Sequence, residues 1–147
     1  MSTCPEPSNN LEFDMTLSLA KDSIDLGITT QNPDAALAFY CDTVGLEHVG
    51  EMKLPGITVQ QLMCGTSMIK LVVHDDPPPA SAPEGGPAGA TGYRYCTIAV
   101  NNLEEITNRC VEAGHSLAMP VTEFQPGLTI SIVEDPDGNW VEFVQRS

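Results

Sequence analysis

The sequence predicts an α+β fold in which one β-α-β-β-β unit occurs twice along a single chain. In each half, a short apolar run is followed by a helical pattern and then by three further apolar runs. A segment rich in proline and glycine, residues 76–92, separates the two halves. Because neither half can bury a sheet alone, we expect the two to share one core.

The first half, residues 23–75, contains a helix with clear start and stop signals. Asn32 is a favourable N-cap, Pro33 suits the first helical position, and Gly45 is a favourable end. Short β-type runs lie on both sides of this helix. The predicted elements are a strand at 24–30, a helix at 33–44, and strands at 47–52, 57–63 and 68–74.

The second half, residues 93–147, repeats this order. Asn102 is the candidate N-cap and Gly114 the candidate end of the helix. Asp135-Pro136-Asp137-Gly138 predicts a tight turn before the last strand. The predicted elements are a strand at 95–100, a helix at 103–113, and strands at 115–121, 128–134 and 140–145.

Two segments lie outside these modules. In the N-terminal extension, residues 1–22, apolar residues alternate with mostly polar ones from Leu11 to Leu19. This period of two predicts an extra strand, at a sheet edge or exchanged with a partner, and a disordered arm is the alternative. The composition of residues 76–92 predicts a linker that is stiff at first and then flexible.

Composition excludes several classes of function. Lys and Arg total 6 against 20 Asp and Glu, for a net charge of −14, so we expect no binding to nucleic acid or anionic membranes. No apolar run approaches the roughly 20 residues that span a bilayer. The N-terminus lacks the pattern of a signal peptide, so we expect a cytoplasmic protein.

The five cysteines have wide spacings and an odd count, so we expect reduced thiols. Cys41 and Cys110 fall on apolar helix faces, which favours plain packing. The three histidines do not pair at metal-binding spacing, and we expect them to be solvated at the surface.

The order of these motifs resembles the vicinal oxygen chelate superfamily, which includes glyoxalase I, bleomycin-resistance proteins, fosfomycin-resistance enzymes and extradiol dioxygenases. The resemblance implies two βαβββ modules whose sheets curl around a shared cup, with the helices on the outer face. It also implies a homodimer, and a cup formed within one chain or between two. The segments that carry it are 25–28, 32–40, 44–47, 113–114 and 135–143.

In the metal enzymes of that superfamily, the first and last strand of each module supply the metal ligands. The four corresponding positions here hold Asp25, Lys70, Tyr95 and Glu142, and only Glu142 matches the ligand pattern. Strand alternation independently places the polar side chains of each strand on one face. An ammonium about 4 Å from a divalent cation costs on the order of 8 kcal/mol at an effective dielectric constant near 20. We therefore expect no metal cofactor, with Lys70 itself paired to Asp25 and Glu142, and a divalent metal as the alternative.

Chemical roles follow from these residue types. Glu142 is the candidate general base, while Lys70 and Tyr95 are candidates for stabilising an oxyanion. Asp25 and Trp140 are candidate ligand-binding residues; Trp140 offers a flat wall, and core packing is its alternative.

Three functions remain open at this point. The first is a metal-independent protein that binds a small organic molecule in the cup, either sequestering it or performing isomerase or lyase chemistry. The second is a metal-dependent lyase, isomerase or dioxygenase with an atypical ligand set. The third is a non-catalytic structural module whose cup is closed by ion pairs.

Overall fold

The computed structural model describes residues 16–147 and contains two four-stranded mixed sheets. The first sheet has the order β1-β4-β3-β2 and the second the order β5-β8-β7-β6. The predicted α+β fold with two βαβββ modules is confirmed. The elements are β1 (Leu26–Thr29), α1 (Pro33–Leu37) with a π-helical continuation (Ala38–Thr43), β2 (Glu47–Leu54), β3 (Ile57–Cys64), β4 (Ser67–His74), a 3₁₀ turn (Gly86–Ala88), β5 (Tyr95–Ala99), α2 (Leu103–Glu112), β6 (Leu117–Gln125), β7 (Leu128–Glu134) and β8 (Trp140–Arg146).

The two sheets have the same pairing. In each, the first strand runs parallel to the last, and the other neighbouring strands are antiparallel. This leaves β1 at one edge of its sheet and β5 at the equivalent edge of the other. Both strands therefore present unpaired backbone groups on one side.

The first helix changes geometry part of the way along. Asn32 caps it as predicted, since its side-chain Oδ1 accepts the Ala35 N–H at 3.2 Å. From Ala38 the turn widens, and the Val44 N–H donates to the Phe39 carbonyl, five residues back, at 2.9 Å. Phe39 and Tyr40 in this wider turn are buried.

One hydrophobic core joins the modules, as expected. It includes Phe39 from the first helix and Cys110 from the second, both fully buried. The sheets contribute the apolar residues of alternate positions in their central strands: Leu62, Ile69, Leu71, Val133, Val141 and Phe143.

Strand β6 departs most from its predicted bounds. It begins at Leu117 rather than at residue 115 and continues to Gln125. Its pairing with β7 shifts register at three places, and such bulges interrupt the alternation from which strand ends are predicted.

The predicted N-terminal strand lies partly outside the described residues, which begin at Thr16. Within the described part, Leu17 and Leu19 are exposed and belong to no strand. None of the helices between residues 16 and 147 has the length and apolar character needed to cross a bilayer.

Candidate functional site

A cleft of about 970 Å³ lies between the two modules. The unpaired edges of β1 and β5 line it from opposite modules, and the turn before β8 closes part of it. Residues of the loop 76–92, including Pro78, Ser81 and Glu84, form a further wall. The segment predicted as a linker therefore contributes directly to the wall of this cleft.

Arg94 holds this loop against the second module. Its Nε donates to the Gly86 carbonyl and its Nη2 to the Pro83 carbonyl, each at 2.7 Å. From the first module, the Gln31 side-chain amide donates to the Pro78 carbonyl at 2.8 Å. Both modules thus fix the loop, so the far wall of the cleft has a defined position.

Trp140, a predicted ligand-binding residue, lines the cleft and also supports the loop. A Cβ added at Gly86 would lie 2.5 Å from the Trp140 ring, so the indole packs directly on the glycine backbone. The Trp140 Nε1 donates to Glu134 Oε1 at 3.3 Å. Trp140 therefore lines the cleft and packs on the loop, while its role in ligand binding stays a prediction.

Tyr95, a predicted catalytic residue, lies beside Trp140 because the two are register partners in β5 and β8. It also lines the cleft, and 55% of it is exposed. The structure therefore brings these two predicted site residues together on one wall.

The other three predicted site residues do not line this cleft. Lys70 is exposed in β4, opposite Gly27 of β1. Glu142 is half-buried in β8, and its Oε1 accepts the Thr97 hydroxyl at 2.7 Å.

Asp25 has local partners. Its Oδ1 accepts the Lys21 ammonium at 2.5 Å and the Met68 N–H at 2.9 Å. These two donors hold the pKa of the Asp25 carboxyl below its usual value, and the more distant Lys70 adds a small effect in the same direction.

The expected ion pairs of Lys70 with Asp25 and Glu142 are not formed. No carboxylate of residues 16–147 lies within 4.0 Å of the Lys70 ammonium. Asp25 pairs instead with Lys21, four residues before it. Lys21 is the more accessible partner because it lies only four residues from Asp25 along the chain.

The donor set at the four superfamily positions does not fit a metal ion. An ammonium such as that of Lys70 has no acceptor, and Asp25 already accepts two donors. Within the described chain, no group of three or more His, Cys, Asp or Glu side chains could hold a metal.

The histidines lie in three different environments, so the expectation that all are solvated was wrong. His48 is exposed and bonds Gln60 at 2.7 Å. His115 packs edge-on against Phe39, with ring centroids 4.6 Å apart. His74 has a buried Nδ1 with no partner in the described chain.

Cys41 and Cys110 lie in apolar surroundings, because Cys110 belongs to the core and Cys41 packs against it. Burial raises the pKa of the Cys110 thiol to about 11, and it also raises the pKa of the Cys41 thiol. The packing role predicted for these two residues agrees with this environment.

A buried polar cluster under the cleft connects the modules. Tyr40 Oη donates to Asp135 Oδ2 at 2.7 Å, across 95 residues of sequence. Asp135 also accepts the backbone N–H groups of Asp137 and Asn139 and the Asn139 side-chain amide. Burial, followed by the charge of Asp135, raises the pKa of Tyr40 well above its usual value.

Several residues that line the cleft carry no clear signal in the sequence. Asp137 was assigned only to a turn, and Glu84 and Arg94 lay in or beside a presumed linker. The available signal was indirect, because Arg94 is one of only 6 basic residues in the chain and directly follows the loop.

Comparison with known proteins agrees with this architecture. No curated protein sequence matches the chain significantly. A glyoxalase family protein from Bacillus cereus is 18% identical with a TM-score of 0.73, covering 88% of this chain and 99% of that one. A trypanothione-dependent glyoxalase I from Leishmania major is 17% identical with a TM-score of 0.67, covering 82% and 84%. A virulence protein from Salmonella typhimurium is 19% identical with a TM-score of 0.62, covering 88% and 100%.

At these identities the structural similarity supports the fold alone. The sequence pattern of the Glyoxalase/Bleomycin resistance protein/Dioxygenase superfamily, however, matches residues 23–143, which is most of the chain and both modules. The chain belongs to the glyoxalase/bleomycin resistance protein/dioxygenase superfamily.

Proposed function

We propose that this protein binds a small organic molecule in the cleft between its modules and needs no metal to do so. The observation that carries the proposal is the cleft itself. Its volume of about 970 Å³ lies within the range of small-molecule sites, and Tyr95 and Trp140 provide an aromatic wall. Both modules hold the opposite wall, so the site is largely formed before a ligand arrives.

Metal independence is supported by the chemistry of the donor set. Lys70 stands where relatives with a metal would place a ligand, and its positive charge opposes a cation nearby. Asp25 is engaged by Lys21 and by the Met68 N–H. The groups that line the cleft are therefore expected to bind a molecule through shape and polar contacts, without a metal.

The placement of the side chains favours binding without chemical conversion. Tyr95 lines the cleft, but Glu142 and Lys70, the proposed proton acceptor and cation, do not. A general base must come within hydrogen-bond reach of the proton it removes. Sequestration of the molecule therefore fits better than isomerase or lyase chemistry in this cleft.

We also propose that the protein is a cytoplasmic homodimer. The edge strands β2 and β6 expose several large apolar side chains, including Leu54 and Phe124, which a second copy would cover. The cysteines of the described chain are all free, as in a reducing compartment. Light scattering should give a dimer, and Leu54→Glu should shift it toward monomer; a monomeric wild-type protein would contradict this part of the proposal.

The main test is a thermal-shift screen of small organic molecules, with and without EDTA. We expect at least one compound to raise the Tm equally in both conditions. Tyr95→Ala should weaken its binding about tenfold. Val111→Ala is the control, because it also removes an exposed apolar side chain but lies outside the cleft and outside the edge strands of the proposed dimer interface.

Two results would contradict the proposal. If EDTA abolishes the ligand-induced shift in Tm and added zinc or manganese restores it, ligand binding depends on a metal. If Lys70→Ala and Glu142→Gln abolish binding while Tyr95→Ala does not, the ligand binds at the superfamily's metal-ligand positions instead of in the cleft.

A further inference from the structure

We propose that residues 76–82, here called the strap, form a lid that opens the cleft when the side chain of Gln31 releases them. The strap controls how fast molecules enter and leave the cleft, whichever molecule binds there. It therefore goes beyond the proposed function, and it can be tested on the protein without a ligand.

The strap forms part of the cleft wall. Pro78, Ala80, Ser81 and Ala82 line the cleft. All residues of the strap are exposed except Pro78, which is half-buried. One side of the strap therefore faces the cleft and the other faces solvent, so an outward movement of the strap would widen the opening of the cleft.

The chain is fixed directly before and directly after the strap. Before it, the Asp75 N–H donates to the Gly56 carbonyl at 3.0 Å. After it, the Arg94 Nη2 donates to the Pro83 carbonyl at 2.7 Å. Because both ends are held, an opening movement is confined to the residues between them.

Between these two ends, Gln31 alone holds the strap by hydrogen bonds within residues 16–147. Its side-chain Nε2 donates to the Pro78 carbonyl at 2.8 Å, and its Oε1 accepts the Ser81 hydroxyl at 3.4 Å. Both bonds join neutral groups at exposed positions, where water competes for them. The bond from Arg94 is charge-assisted and therefore stronger. The contact with Gln31 is thus the attachment that breaks first.

The strap is stiff, while Gln31 is fixed to the first sheet. Residues 77–79 are three consecutive prolines, whose rings restrict the backbone, so this part of the strap moves as one piece. Proline also lacks an N–H, which leaves the strap few donors to replace a lost contact. Gln31 directly follows Thr30, whose N–H donates to the Val72 carbonyl at 3.1 Å. The strap therefore moves away from Gln31, and Gln31 stays in place.

Limited proteolysis with elastase, which accepts small side chains, detects the opening. Ala80 lies in the strap, whereas Ala88 and Ala90 lie beyond its second fixed end. For Gln31→Ala we expect cleavage after Ala80 to be about tenfold faster than in the wild type, because cleavage follows the population of the open form. Cleavage after Ala88 and Ala90 should keep its rate. Gln31→Glu has the same length but a carboxylate that cannot donate to Pro78, so it should behave as Gln31→Ala does.

Asn108→Ala is the matched control, because it also removes an exposed side-chain amide but lies on α2, outside the cleft. Mass spectrometry of the fragments assigns each cleavage. If Gln31→Ala is cut after Ala80 no faster than Asn108→Ala, Gln31 does not hold the strap and the inference is overturned. It is also overturned if cleavage after Ala88 accelerates equally, since the loop would then move as a whole.

Trp140 reports whether the opening admits solutes, because it is the only tryptophan in the sequence and lines the cleft. The probe is acrylamide, a small neutral quencher of its fluorescence. We expect the quenching constant of Gln31→Ala to be about twofold that of Asn108→Ala, because the open form is more populated. Equal quenching despite faster cleavage after Ala80 would refute the lid. A thermal-shift screen without hits would refute the proposed function and leave both results on the strap unaffected.

Discussion

Replacing Tyr40 with phenylalanine should destabilise the protein measurably, although only one oxygen atom is lost. Tyr40 is 1% exposed, and its hydroxyl donates to Asp135 Oδ2 at 2.7 Å. Asp135 is itself buried, and its charge depends on its hydrogen-bond donors. The variant therefore removes a contact between the modules and one of the donors to a buried carboxylate.

The magnitude follows from the remaining donors. A hydrogen bond to a charged group contributes about 1.5–3 kcal/mol. Asp135 Oδ2 keeps the Asn139 side-chain amide at 3.0 Å, which limits the loss. We therefore expect the free energy of unfolding to fall by about 2 kcal/mol, or about 4–8 °C in Tm for a chain of this size.

Tyr93→Phe is the matched control for this experiment, because the Tyr93 side chain is fully exposed. Urea unfolding followed by circular dichroism at pH 7 should separate the two variants. A Tyr40→Phe protein within about 0.5 kcal/mol of Tyr93→Phe would refute the reasoning, since the hydroxyl would then contribute nothing beyond a solvated one.

The hydrogen bond between Tyr40 and Asp135 also makes the stability of the protein depend on pH. The pKa of Tyr40 is raised in the folded protein, so above about pH 10 the unfolded chain loses this proton while the folded protein keeps it. The wild type then binds more protons when folded, and its stability falls as the pH rises. The difference between wild type and Tyr40→Phe should therefore narrow above about pH 10, and a difference that widens there would contradict the assignment.

Three further predictions concern packing and charge. Gly86→Ala should lower the unfolding free energy by about 1–3 kcal/mol and change Trp140 fluorescence, because the new Cβ would lie 2.5 Å from the indole ring. Gly65→Ala is its control: Gly65 has a similar positive φ, but a Cβ there would meet nothing within 4 Å, so the fluorescence should not change. Iodoacetamide at pH 8 should alkylate Cys110 about 100-fold more slowly in the folded protein than in urea, as measured by peptide mass mapping, because its thiol pKa rises from 9.0 to about 11. Lys70→Ala should change the unfolding free energy by less than about 0.5 kcal/mol, since Lys70 has no ion pair in the described chain, and a loss above about 1.5 kcal/mol would show that the ammonium is paired.

Most of the fold could be predicted because its signals are local. Asn32 and Gly45 mark the two ends of the first helix, and alternation identifies each sheet strand to within a few residues. The change to π-helical geometry at Ala38 could not be predicted, since it depends on how Phe39 and Tyr40 pack into the shared core.

The candidate site was harder to predict because it depends on distances between strands. Alternation within a strand puts Trp140 and Glu142 on the same face of β8, but it does not predict that Tyr95 of β5 lies beside Trp140. Alternation also could not determine whether Lys70 would form an ion pair with a carboxylate, because two side chains on the same face of a sheet can still lie too far apart for one. Asp25 forms its ion pair with Lys21, four residues before it in the chain, and not with Lys70.

The loop 76–92 connects these observations. A composition of proline and glycine predicts flexibility when only the chain is considered, yet glycine also permits the closest approach to an aromatic ring. Gly86 lies against Trp140 for that reason, and Arg94 then fixes the loop through two carbonyls. Because Gln31 of the first module also holds this loop, the cleft wall depends on the relative position of both modules. A change that loosens the Tyr40–Asp135 contact should therefore weaken ligand binding as well as stability, and titrating Tyr40→Phe with a compound found by the thermal-shift screen would measure that coupling.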